Sequence, residues 1–315
     1  MAQTTSGRTT KIWRDGQLVN WDDATIHVMS HVVHYGSSVF EGIRCYETPG
    51  GPAVFRLREH MRRLLDSAKI YRMEMRHSVD DLVQAALDTV AGNDLRHCYL
   101  RPVAMRTGEQ MGVLGIDAPV ETFIIAWNWG RYLGEDALDQ GVDVCVSSWR
   151  RAAPDTFPTL AKAGGNYMNS QLSKMDARLS GFVEGIMLDS SGLVSEGSGE
   201  NLFLVRDGVL YPSPLSAGIL NGITRDSVMR IAREMDLEIR EVAMPREMLY
   251  VADELFFTGT AAEITPIRSV DRIQVGAGRR GPITKAIQEQ YLGMATGKVE
   301  DRYGWLTAVP VAALR

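Results

Sequence analysis

Lys162 stands among small residues in the stretch Ala161-Lys-Ala-Gly-Gly-Asn-Tyr167. An amine that condenses with a carbonyl must approach it closely and give up its own proton, and burial favours the neutral form. Ala161, Ala163, Gly164 and Gly165 remove bulk around this lysine, and Tyr167 supplies a phenol five residues on. The competing reading is a surface lysine beside a turn, since lysines are mostly solvated.

Three more stretches carry groups suited to chemistry. Gly218 and Gly222 precede Ile223 and Thr224 at the start of a helical pattern. Backbone N–H groups at a helix start bind anions, and a threonine hydroxyl there adds a donor or simply caps the helix. Glu196 lies in Val-Ser-Glu-Gly-Ser-Gly199, between a strand pattern and a Gly-rich turn. It is either a solvated turn acid or a carboxylate aimed at a protonated ring nitrogen, the partner a pyridoxal ring needs to act as an electron sink. Thr258-Gly259-Thr260-Ala261-Ala262 follows an apolar run. Its small side chains leave backbone N–H groups accessible to a carboxylate or phosphate, or mark a plain turn.

Two other patterns point elsewhere. Gly276 to Gly281 reads G-x-G-x-x-G, with Glu300 and Asp301 near the acidic spacing of a dinucleotide fingerprint. That fold needs further βαβ units, and few residues remain; Pro282 instead suggests a turn into a C-terminal helix. His27, His31 and His34 have metal-like helical spacing. No cysteine joins them, and β-branched neighbours and the following Tyr-Gly argue against a straight helix, so no metal is expected.

The elements that must position these groups alternate between helix and strand patterns. Leu57, Met61, Leu64, Ala68 and Tyr71 recur at helical spacing. Ser78 with Asp81 three residues on is a capping-box signal, and that helix should end at Gly92. Residues 98–106 and 121–127 read as strands. Residues 129–141 read as a linker, followed by a strand pattern over 142–149. Met168, Leu172, Met175 and Leu179 fall on one face of a helix that Gly181 stops. Residues 185–213 form a meander with turns at Ser190–Gly192 and Asp207–Gly208. A helix over 223–236 and a strand over 253–259 follow. Such a mixture suits two α/β domains meeting at a cleft, where ligands commonly bind.

Of the 315 residues, 45% are hydrophobic, ample for a core. A formal charge of −5, well mixed, argues against nucleic-acid or membrane-surface partners. Cys45, Cys98 and Cys145 are far apart, so no disulfide framework is expected and a reducing compartment is the default. The N-terminal stretch lacks the apolar core of a secretory signal, and no apolar run is long enough to span a bilayer. A soluble, cytoplasmic protein is expected.

In order, His27–Tyr46, Arg58–Tyr71, Tyr99–Pro102, Ala161–Tyr167, Ser195–Phe203, Leu220–Asp226 and Glu254–Asp271 resemble the bacterial branched-chain amino acid aminotransferases. The similarity runs from about Ile12 to about Trp305. That family implies a mixed α/β, two-domain fold-type IV enzyme that uses pyridoxal 5′-phosphate. The smaller N-terminal domain would span 1–128, the linker 129–136, and the larger pseudo-barrel domain 137–315. The resemblance makes Lys162 the catalytic residue and covalent anchor of the cofactor. Tyr167 would bond its phenolic oxygen and Glu196 its ring nitrogen. Arg63, Ile223, Thr224 and Thr260 would hold its phosphate, with Gly199, Leu220 and Gly222 also contacting it. Arg63 lies beside the apolar stripe of its helix, whereas Arg62 can pair with Asp66 at the surface.

The same resemblance implies the substrate side. Tyr99 and the turn Gly259-Thr260-Ala261 would take the α-carboxylate, and Arg101 the distal carboxylate of glutamate. Tyr35, Phe40, Gly42, Trp129 and Tyr132 would form the pocket, with Val113 reaching in from a partner subunit. The reaction would pass the amino group of leucine, isoleucine or valine to 2-oxoglutarate in a ping-pong cycle, giving 2-oxo acids and L-glutamate. A homodimer at least, and a hexamer built as a trimer of dimers, is implied, with no nucleic acid or membrane partner. D-amino acid aminotransferases and aminodeoxychorismate lyases share this fold and are the near alternatives. A nicotinamide-dependent oxidoreductase is the distant one.

Overall fold

A computed structural model describes residues 7–109, 111–130, 133–134 and 136–310. Its chain divides into two compact units. The first takes in the chain up to Gly130, the short stretch Ala161–Gly165 and the chain from Gly293 onward; the second holds the rest.

The first unit is built on a sheet of β1 (Lys11–Arg14), β2 (Gln17–Asn20), β3 (Ser38–Phe40), β4 (Ile43–Thr48), β5 (Gly51–Phe55), β6 (Cys98–Arg106) and β7 (Val120–Trp127). The C-terminal strand, Leu306–Ala308, completes it at the β5 edge. The order is C-terminal strand, β5, β4, β6, β7, β1, β2, with β3 also on β6, and its pairings are antiparallel. Among the described residues, three α-helices belong to this unit: α1 (His31–Tyr35), α2 (Leu57–Ile70) and α3 (Val79–Ala91).

The spacing of apolar residues explains α2. Leu57, Met61, Leu64 and Ala68 are fully buried in one cluster with Ile43, Val54, Leu82, Ala86 and Leu100. Tyr71, last in the predicted stripe, is the C-cap. The predicted capping box of α3 is present: Ser78 Oγ accepts from the Asp81 N–H, and the Asp81 carboxylate accepts from the Ser78 N–H at 2.9 Å. Gly92 is the C-cap. The strands over 98–106 and 120–127 match the two predicted ones, extended by one residue in β7.

The second unit carries β8 (Val142–Val146), β9 (Glu184–Leu188), β10 (Val194–Gly197), β11 (Asn201–Arg206), β12 (Val209–Pro212), β13 (Glu254–Gly259), β14 (Glu263–Val270) and β15 (Ile273–Gln274). Their order is β10, β9, β8, β14, β13, β11, β12, with β15 on β14. The pairs β8–β9 and β8–β14 are parallel, the others antiparallel, so the sheet is mixed. The β11–β12 hairpin turns at Asp207 and Gly208, both at positive φ, as the sequence pattern predicts. Val142, Val144, Ile186, Leu202, Leu204 and Phe257 lie in this unit's buried core.

Among the described residues, five α-helices belong wholly or mainly here: α4 (Ala137–Gln140), α5 (Tyr167–Leu179), α6 (Ile223–Glu234), α7 (Met248–Val251) and α8 (Pro282–Ala295). In α5 the apolar stripe does not face this unit's core. Met168, Met175 and Leu179 are exposed, while Ser170, Ser173 and Ala177 are buried. Small residues let the helix approach β9 closely, and the large apolar ones are left outside. No helix among the described residues is long and apolar enough to cross a membrane.

Candidate active site

In the first unit the lysine segment is fixed at its backbone. The Lys162 N–H donates to Ser67 Oγ of α2 at 3.0 Å, and its carbonyl accepts from the Phe40 N–H of β3 at 2.9 Å. Ala163 also bridges to Val39. A strand and a helix therefore hold the lysine, while its side chain lies against the Phe40 ring, Nζ 5.0 Å from the centroid. The same ring takes Arg101, its Cζ 4.6 Å from the centroid.

Arg101 and Tyr99 project from β6 two residues apart, hence on one face. Arg101 Nη2 donates to the Tyr99 hydroxyl at 3.3 Å. Trp129 meets the Tyr99 ring edge-on with centroids 4.6 Å apart. Gly42 explains itself here, because a Cβ at that position would lie 1.9 Å from the Tyr99 hydroxyl. Phe40, Gly42, Tyr99, Arg101, Trp129 and Lys162 thus belong to one neighbourhood. Tyr35 is on α1, where its hydroxyl accepts from the Gly112 N–H at 3.0 Å. Val113, on that loop, is 85% exposed. Tyr132 lies outside the described residues.

Arg63 leans from α2 onto Glu41, which sequence reasoning had passed over. Its Nε and Nη2 each donate to the Glu41 carboxylate at 2.7 Å. The buried His60 ring lies 2.7 Å from the same carboxylate through Nδ1. Burial by itself would raise the Glu41 carboxyl, but the Arg63 charge and hydrogen bonds, with His60, hold it well below the usual carboxylate range. Burial likewise pushes the His60 imidazole down, against the pull of Glu41. A neutral imidazole can then donate from Nδ1 to an ionised carboxylate. Glu41 lies one residue from both Phe40 and Gly42, and His60 one helical turn from Arg63. That juxtaposition of charge types was the available signal.

The second unit assembles another set around Glu196 on β10. Its carboxylate accepts from Asn201 Nδ2 at 2.9 Å and from the Leu220 N–H at 3.2 Å, and it pairs with Arg151 Nη2 at 2.6 Å. Asn201 also donates to the Leu220 carbonyl at 2.9 Å, tying β11 to the segment that enters α6. Gly222 is the N-cap of α6, so the capping residue itself supplies no side chain. A Cβ on Gly222 would fall 2.0 Å from Asn201 Oδ1. Ile223 and Thr224 open the helix and are buried. Asn201 pairs with Thr258 across β11 and β13, and the turn Gly259-Thr260-Ala261 follows directly. Gly199 donates its N–H to Glu200 at 3.1 Å. Tyr167 begins α5. Arg151 and Asn201 were missed from sequence; only the fold brings them to Glu196.

The glycine-rich stretch and the histidines make the following contacts. The start of α8, behind Gly276–Gly281, is taken by the Glu254 carboxylate, which accepts from the Ile283 and Thr284 N–H groups at 3.0 and 2.7 Å. An acid already occupies the place a pyrophosphate would need. His31 Nδ1 lies 2.7 Å from Ser37 Oγ, and His34 Nε2 lies 3.1 Å from the Val28 carbonyl. Helix α1 is five residues long and ends at Gly36 in the left-handed region.

Comparison with known proteins gives the chain's family. The family model described as amino-transferase class IV matches residues 38–270. The chain is 54% identical over 302 residues to a branched-chain-amino-acid aminotransferase of Salmonella typhimurium, covering 95% of this chain and 97% of the relative. The crystal structure of the Escherichia coli branched-chain amino acid aminotransferase superposes with a TM-score of 0.92 at 52% identity, over 96% of this chain and all of that one. The branched-chain amino acid aminotransferase of Thermobaculum terrenum, in its PLP-bound holo form, superposes with a TM-score of 0.90 at 37% identity, over 96% and 98% of the two chains. On the extent of these matches, the chain belongs to the class IV aminotransferases.

Proposed function

We infer that the chain is a pyridoxal-5′-phosphate-dependent branched-chain L-amino acid aminotransferase. It transfers the amino group of leucine, isoleucine or valine to 2-oxoglutarate, giving branched-chain 2-oxo acids and L-glutamate. The observation that carries this reading is the Glu196 cluster: a buried acid under three donors, beside a helix start capped by glycine. Those groups fit a phosphorylated pyridine, since one carboxylate suits a ring nitrogen and one helix start suits an anion.

When bound, the cofactor supplies a carbonyl that captures the amine and a ring that accepts the electron pair released at the substrate Cα. Lys162 Nζ would take the proton from that carbon and deliver it to the cofactor's carbonyl carbon, with the transfer reversed when 2-oxoglutarate is the substrate. Glu196 would keep a proton on the ring nitrogen, and Tyr167 would bond the phenolic oxygen. Arg63, Ile223, Thr224 and Thr260 take the phosphate, with Gly199, Leu220 and Gly222 lining the cofactor. Tyr99 and the Gly259–Ala261 turn take the α-carboxylate. Phe40, Tyr35, Gly42, Trp129 and Tyr132 supply an apolar wall, and Arg101 receives the distal carboxylate of glutamate. The Tyr99 hydroxyl keeps Arg101 partnered when an aliphatic side chain binds.

Exposed Val113, Leu114 and Leu179 support a homo-oligomer, a dimer at least and a trimer of dimers by family resemblance. A cytoplasmic site of action suits a metabolic enzyme of this kind.

The test is a spectrum. The purified protein should be yellow, lose that absorbance with leucine alone, and regain it with 2-oxoglutarate. Lys162→Ala should abolish the lysine-linked absorbance and turnover. Unchanged transamination by Lys162→Ala would refute the assignment.

A further inference from the structure

Arg151 is given no step in the reaction above, yet it is a charged partner of its central acid. The residue follows β8, and its backbone N–H donates to the Leu188 carbonyl of β9 at 2.9 Å. Its side chain is only 9% exposed. The guanidinium bridges two elements: Nη2 meets Glu196 at 2.6 Å on β10, and Nη1 donates to Ser170 Oγ at 3.3 Å. Ser170 lies on α5 three residues after Tyr167, about one turn along that helix. Nε, also buried, has no acceptor among the described residues. Burying an arginine is costly unless its charge is used.

We propose that Arg151 is a positioning residue that keeps the shared proton on the cofactor's ring nitrogen rather than on Glu196. This rests on the functional reading above. A ring nitrogen facing Glu196 would share one proton with it along an N–H···O bond. Two states compete: pyridinium with carboxylate, or neutral pyridine with carboxylic acid. The guanidinium bonds directly to the carboxylate, and the ring lies beyond it. Arg151 therefore stabilises the ionised acid more than it repels the protonated ring, since Coulomb attraction falls with distance. The Asn201 and Leu220 N–H groups favour the same ionised acid.

Glu200, the other acid of this turn, lies near Glu184 and Lys174. Burial first, and the Glu184 carboxylate second, push it up to about 8, so it carries a proton near neutrality. Lys174 is itself paired with Glu184 at 2.5 Å. Arg151 is thus a cation in direct contact with Glu196.

The test uses holoenzyme loaded with cofactor labelled with nitrogen-15 in the ring. Wild type should show a pyridinium resonance. Arg151→Gln should move it toward neutral pyridine and slow the leucine half-reaction by about tenfold or more. Arg151→Lys, which restores the charge, should recover most of the pyridinium signal. Ser170→Ala frees one end of the guanidinium and should move the resonance in the same direction by less; it carries the test if Arg151→Gln does not fold. An unmoved resonance in cofactor-loaded Arg151→Gln, or in Ser170→Ala where that variant must serve, would overturn the proposal. So would Arg151→Lys behaving like Arg151→Gln, which would mark a packing role. Thermal melts of the apoproteins separate loss of fold from loss of proton placement. A wild type that takes up no cofactor would sink the functional reading instead.

Discussion

Among single residues, Arg101 is the one to which the proposed function gives substrate breadth. Its guanidinium covers the Phe40 ring and bonds the Tyr99 hydroxyl, so it is held by an aromatic face and one neutral acceptor. A distal carboxylate would replace weak partners with a charge-assisted pair worth about 1.5–3 kcal/mol. An aliphatic side chain asks nothing of it. Arg101→Met should therefore cut kcat/KM for 2-oxoglutarate by about 10–100-fold while changing that for the 2-oxo acid of leucine by about threefold or less. Steady-state kinetics with the two oxo acids decide it; equal losses would remove this role from Arg101. Lys162, Glu196 and Thr224 were singled out by residue type and setting alone. Glu41, Arg151 and Asn201 were not, because each acts on a partner that the sequence does not mark as its own: Arg151 and Glu196 are joined only by folding.

Among helices and strands, local patterns proved most readable where backbone chemistry is local. The capping box of α3 and the Asp207–Gly208 hairpin each satisfy their own backbone groups within a few residues. Ser78→Ala should cost about 1 kcal/mol of stability, read as a lower urea midpoint, with transamination at full rate in the folded enzyme. A change in KM for either substrate would tie α3 to the site, against its packing on β1, β7 and α2. Helix α5 was less readable. Its apolar periodicity is genuine, but periodicity names a face without naming what covers it. The small face, Ser170, Ser173 and Ala177, is the buried one, and α5 packs on β9.

Over the chain as a whole, apolar surface remains that packing within the chain does not cover. Leu179 is 90% exposed at the end of α5, and Leu114 is 79% exposed beside Val113. Such side chains in a monomer would be an association hazard. In light scattering the 34.9 kDa chain should run as a dimer or a multiple of it. Leu114→Glu should shift that mass downward and weaken turnover with it. A wild-type monomer at full activity would end the oligomeric reading, and with it Val113's part in a neighbouring pocket.

Residue order was enough to single out candidate reactive groups and the local elements, because a lysine among small residues, a capped helix or a glycine turn marks itself within a few positions. Which charges meet was settled only by folding: Arg63 with Glu41, Arg151 with Glu196, Asn201 with the Leu220 carbonyl. Folding also assigned Ala161–Gly165 to the first unit while Tyr167 opens a helix of the second. The reason is range. Backbone capping acts over one turn of chain, whereas a buried ion pair forms wherever the sheet order brings two desolvated groups within hydrogen-bonding distance.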